Sequence, residues 1–123
     1  MGQSVLVAED DPSVRMTIEF VLSDEGFDVL LAEDGEQALS IALASKPDVI
    51  LLDQIMPKMD GKEVLLALRA NEATREIPVL VLTGMARGDS SEWPGATFVG
   101  KPFSPDTLVQ RIREVLGARP GTE

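Results

Sequence analysis

Five short apolar runs recur along the chain, at residues 5–8, 27–32, 49–52, 79–82 and 96–100. Each is the length of a strand, and stretches of a different period separate them. After the first run, Asp11-Pro12 reads as a helix start, an N-cap acid followed by proline at the first helical position. Val14, Ile18, Val21 and Leu22 then fall on one helical face, and Gly26 ends it. The second run carries a polar Asp28 near its start. Asp34 or Gly35 opens a second helix, with Ala38, Leu39, Ala42 and Leu43 inward, and Lys46-Pro47 closes it. The third run is apolar on both faces and ends at Asp53. A loop with Pro57 and Gly61 leads to a helix over 61–70 that buries Val64, Leu65 and Leu68. The fourth run ends at Thr83 and the fifth at Lys101-Pro102. Ser104-Pro105 starts a final helix with Leu108, Ile112, Val115 and Leu116 inward, and 117–123 reads as a frayed tail.

Strand alternating with helix predicts a parallel sheet covered on both faces. Right-handed crossovers divide the helices between those faces. The expected fold is α/β: a doubly wound, five-stranded parallel sheet of flavodoxin-like order 2-1-3-4-5. No repeat or linker is visible, so residues 1–123 read as one domain. The segment between Thr83 and Lys101 fits least well. Gly84, Gly88, Pro94 and Gly95 break it, and it has no apolar stripe. The fourth helix is therefore expected to be very short or replaced by a loop. Trp93, the sole tryptophan, lies in this segment. It either covers the gap left there or anchors a partner.

Composition narrows the chemistry. The chain has 123 residues, 44% hydrophobic and 26% charged, as expected of one ordinary domain. The net charge of −10 argues against direct binding to nucleic acid or an anionic membrane, and its plainest meaning is solubility. There is no cysteine and no histidine, which removes thiolate and imidazole chemistry from this chain. No apolar run approaches the roughly 20 residues of a membrane span, and residues 1–4 do not resemble a signal peptide. A cytoplasmic location is expected.

The polar residues gather at strand ends. Glu9 and Asp10 follow the first strand, and Asp53, Thr83 and Lys101 end the third, fourth and fifth. In an open parallel sheet these ends share one edge, where ligands bind at the topological switch point. Order 2-1-3-4-5 puts that point between strands one and three, with Glu9 and Asp10 beside Asp53. Three converging carboxylates require a raised pKa or a bound cation. Mg²⁺ suits them, because it combines one or two carboxylates with waters and phosphate oxygens. A carboxylate nucleophile, a metal, an ammonium and a hydroxyl equip a site for in-line phosphoryl transfer onto Asp53. Each residue also has a plainer reading. Asp11 is a helix cap, Glu9 and Asp10 are caps too, Asp53 is a turn former, and Thr83 and Lys101 are solvated strand ends. Their shared edge favours the chemical reading for all but Asp11.

The same residues resemble the response-regulator receiver family of two-component signalling, of the chemotaxis-regulator type. The resemblance covers nearly the whole chain, through VLVAEDDP (5–12), DVILLDQIMPKMDG (48–61), VLVLTG (79–84) and FVGKPF (98–103). It implies that Asp53 is the phosphoacceptor and that Glu9, Asp10 and Asp53 bind Mg²⁺ with the backbone carbonyl of Ile55. It implies that Thr83 and Lys101 contact the phosphoryl oxygens, and that Thr83 and Phe98 move on phosphorylation to change a protein-binding surface. The implied donor is a histidine kinase or a histidine phosphotransfer protein, and the implied acceptor of the signal is a downstream protein. The domain would be a switch that catalyses only its own phosphorylation and dephosphorylation.

Several departures stand out. Glu9 replaces the commoner aspartate and adds a methylene. Phe98 has no hydroxyl, so it signals by packing alone. Ile55 puts an apolar side chain where several relatives have a polar one, and it is expected to shield the acyl phosphate from water. The altered 84–95 segment falls on the family's usual dimer surface, so a monomer or weak dimer is expected. Three other functions fit less well. An aspartyl-phosphate hydrolase of another α/β fold would need an aspartate where Ile55 stands. A pseudo-receiver scaffold would not need the complete phosphorylation set. A flavodoxin-like cofactor binder would not place Glu9-Asp10-Asp11 where a phosphate loop belongs.

Overall fold

The computed structural model describes residues 3–54, 56–84, 93, 95–100 and 103–117. Its elements run β1 (Ser4–Ala8), α1 (Pro12–Asp24), β2 (Asp28–Ala32), α2 (Gly35–Ser45), β3 (Val49–Asp53), α3 (Gly61–Ala70), β4 (Val79–Thr83), β5 (Ala96–Gly100) and α4 (Pro105–Gly117). The five strands are parallel and ordered β2-β1-β3-β4-β5, as the alternation predicts. Residues 85–92 lie outside the described residues, and with them the expectation of a shortened fourth helix. The same holds for Ile55, for Lys101 and Pro102, and for the tail beyond Gly117.

Strand side chains alternate between two cores, because successive residues point to opposite sheet faces. Val5, Val7, Val49, Leu51, Leu80 and Leu82 join Ile18 and Leu22 of α1 and Leu108 and Ile112 of α4. Leu6, Ala8, Ile50, Leu52, Val79 and Val81 join Ala38 and Ala42 of α2 and Val64, Leu65 and Leu68 of α3. Trp93 belongs to this second core. It is 7% exposed and packs edge-on against Phe98 of β5, with ring centroids 5.6 Å apart. The covering role expected of Trp93 thus agrees with its burial, and an exposed partner anchor does not.

One inward assignment needs correction. Leu43 is exposed at 36%, because it sits a further step of about 100° round the helix from Ala42, past the stripe that meets the sheet. On α4, Val115 packs half-buried against the first core, as its place on the inner face predicts, and Val109 is buried there as well. Met16 and Phe20 of α1 are also exposed.

Helix starts follow their cap residues. Asp11 accepts hydrogen bonds from the Ser13 and Val14 backbone N–H groups, and Asp34 from that of Gln37. Asp60 and Glu63 form a reciprocal capping box at α3. At the other end of α3, Arg69 donates to the carbonyls of Arg75 and Ile77, tying the α3–β4 connection to the helix. Burial pushes this guanidinium below its ordinary value.

Candidate functional site

The register sets the site. Ala8 pairs with Leu52, so the next residues, Glu9 and Asp53, leave neighbouring strands together. The Glu9 N–H still extends the ladder to the Ala32 carbonyl, 3.1 Å away. Glu9 and Asp53 are buried, at 1% and 8% exposure, whereas Asp10 is exposed. One carboxylate oxygen from each of the three lies within 4.8 Å of the others. Arg15 Nη1 donates to the Glu9 carbonyl at 2.9 Å, and the Asp11 N–H donates to Glu9 Oε2 at 3.2 Å. The start of α1 therefore orients the first acid of the cluster.

The donor set fits a hard divalent cation. Opposite ligands of octahedral Mg²⁺ stand roughly 4.2 Å apart, and the ion keeps several waters. A spread of 4.8 Å with an exposed third carboxylate is compatible with two direct ligands and one water-mediated contact.

Thr83, 4% exposed, ends β4 next to β3. Its hydroxyl donates to Gln54 Oε1 at 2.5 Å. Gln54 follows Asp53 directly and is held through its backbone. Its N–H donates to the Leu82 carbonyl at 3.0 Å, and its carbonyl accepts from the Gly61 N–H at 2.9 Å. The sequence reading passed over Gln54, although its place beside Asp53 was a signal. It also missed the loop's supports. Lys58 has positive φ (71°) and pairs with Asp34 at 3.6 Å. A side chain at Gly35 would collide with the Met59 backbone. The loop after β3 thus rests on the first turn of α2. Phe98 is half-buried on β5. Glu9, Asp10, Asp53 and Thr83 stand at the strand ends expected of them, while the Lys101 ammonium and the Ile55 carbonyl fall outside the described residues.

A parallel sheet in this order, with an acidic cluster at its switch point and a hydroxyl on the next strand, defines a receiver-type α/β domain. Residues 5–113 match the response regulator receiver domain, and the chain belongs to that family of two-component signalling proteins. Among curated relatives, it is 39% identical over 119 residues to the DNA-binding response regulator MtrA of Mycolicibacterium smegmatis, covering 92% of this chain and 50% of that protein. It is 34% identical over 120 residues to the phosphate regulon transcriptional regulatory protein PhoB of Pseudomonas aeruginosa, covering 94% and 52%. The chain spans about half the length of these relatives. Among solved structures, the chemotaxis protein CheY4 of Vibrio cholerae superposes with a TM-score of 0.87 at 31% identity, over 94% of this chain and 99% of that one. The receiver domain of a sensor histidine kinase of Pseudomonas aeruginosa PAO1 gives the same score and identity over 95% and 99%, and that structure has a magnesium ion coordinated in its active-site cleft. Among the described residues, no helix is long and apolar enough to cross a membrane.

Proposed function

We propose that Asp53 is the phosphoacceptor, and that it receives its phosphoryl group from a histidine kinase or a histidine phosphotransfer protein. The observation that carries this reading is the convergence of the Glu9, Asp10 and Asp53 carboxylates within 4.8 Å, beside Thr83, at the switch point of the sheet. An Asp53 carboxylate oxygen attacks the phosphorus of a phosphohistidine. The P–O bond forms as the P–N bond breaks, and the imidazole nitrogen leaves with the bonding pair and takes up a proton. Glu9, Asp10, Asp53 and the Ile55 carbonyl would hold Mg²⁺, which when bound would supply positive charge to the phosphoryl oxygens. The Thr83 hydroxyl and the Lys101 ammonium contact those oxygens. Phe98, already packed on Trp93, passes the change to a protein-binding surface.

In this reading the domain, residues 1–123, turns over no external substrate beyond its own phosphorylation and dephosphorylation. It acts in the cytoplasm as a monomer or weak dimer. Its partners are a phosphodonor and a downstream protein, and it binds neither nucleic acid nor membrane directly. The −10 net charge supports the last point.

The test is intact-mass measurement after incubation with Mg²⁺ and a small phosphodonor. One phosphoryl adduct is expected, and it should be absent in Asp53→Asn and in the presence of chelator. An adduct that persists in Asp53→Asn would overturn the assignment.

A further inference from the structure

We infer that Gln54 is a positioning residue that latches Thr83 in the resting state and must release it when Asp53 is phosphorylated. The inference rests on the reading that Thr83 donates to the phosphoryl group. A threonine hydroxyl has one proton to donate. In this structure that proton goes to Gln54 Oε1, 2.5 Å away. The acceptor is well placed to hold it, because both backbone bonds of Gln54 anchor the residue, one to β4 and one to α3. A phosphoryl oxygen on Asp53 offers the same proton a charged acceptor, and charge-assisted hydrogen bonds are the stronger kind. The two acceptors therefore compete, and phosphorylation wins at the cost of the Gln54 bond. Gln54 biases the equilibrium toward the resting position of Thr83 and sets how much phosphoryl affinity is needed to move it. It does this next to the nucleophile without touching the phosphoryl group.

The competition is measurable with beryllium trifluoride, a phosphoryl mimic, titrated with Mg²⁺ into the full chain and followed by ¹⁹F NMR. Gln54→Ala and Gln54→Leu remove the acceptor, the second with little loss of volume. Both are expected to bind the mimic roughly two- to tenfold more tightly than wild type, the range of one neutral hydrogen bond. Thr83→Val alone should bind more weakly than wild type. In the Thr83→Val background, replacing Gln54 should change nothing, since there is no proton left to contest. Unchanged or weaker binding by both Gln54 variants overturns the latch. So does a gain that persists without the Thr83 hydroxyl, which would point to a general loosening of the loop. If wild type takes neither the mimic nor a phosphoryl adduct in Mg²⁺, the phosphoacceptor reading itself falls and the latch falls with it.

Discussion

A methyl group at Gly61 would stand 2.6 Å from the Asp53 carbonyl oxygen and 3.1 Å from the Gln54 Cα. Both neighbours are backbone, so neither can swing aside. The glycine lets α3 begin directly against the loop that carries Asp53, and its N–H donates to the Gln54 carbonyl. Gly61→Ala is expected to lower stability by about 1–3 kcal/mol, the usual cost of overpacking, read from urea unfolding. It should also slow the phosphorylation proposed for Asp53, because the shift falls on that residue's own backbone. The sequence marked Gly61 only as a loop glycine. Nothing in one dimension says that a residue eight positions on will press against Asp53.

At the scale of elements, α3 shows how local signals suffice for a helix start. Asp60 accepts from the Glu63 N–H at 2.9 Å, and Glu63 returns the bond to the Asp60 N–H at 2.9 Å. Both residues are exposed, so the motif works mainly on the helix terminus. Asp60→Ala should cost about 1 kcal/mol. The urea midpoint would fall with the slope unchanged, and the phosphoryl adduct would still form. Helix α2 shows the opposite case. Its apolar positions include Leu43, yet Ala38 and Ala42 are buried and Leu39 and Ile41 pack against the core while Leu43 is exposed. The small alanines and their register against the strands decide the buried face, whereas helical period alone places Leu43 inward with them.

At the scale of the molecule, the sheet collects charge that the chain keeps far apart. Asp53 is 43 residues from Asp10 in sequence, yet its carboxylate lies within 4.8 Å of those of Glu9 and Asp10. Like charges this close repel one another, and a cation that binds only the native arrangement stabilises it. Mg²⁺ at a hundredfold excess over its Kd should add about 2.7 kcal/mol, seen as a rise in Tm that chelator reverses. Asp10→Asn should raise the Tm of the metal-free protein and lose most of the Mg²⁺ response. An equal Mg²⁺ response in wild type and variant would count against these ligands.

The sequence by itself determined the strands and described helices, their order around the sheet, and the candidate residues Glu9, Asp10, Asp53 and Thr83. These rest on local signals: apolar runs, caps, and polar residues placed where strands stop. It also flagged the 84–95 segment as irregular. Only the tertiary structure decided that Trp93 is buried against Phe98, that Gly35 and Gly61 are pressed by backbone, and that Thr83 gives its proton to Gln54. Those facts depend on register and on the crossing of elements distant in sequence, so they arise only once the sheet brings the strand ends together.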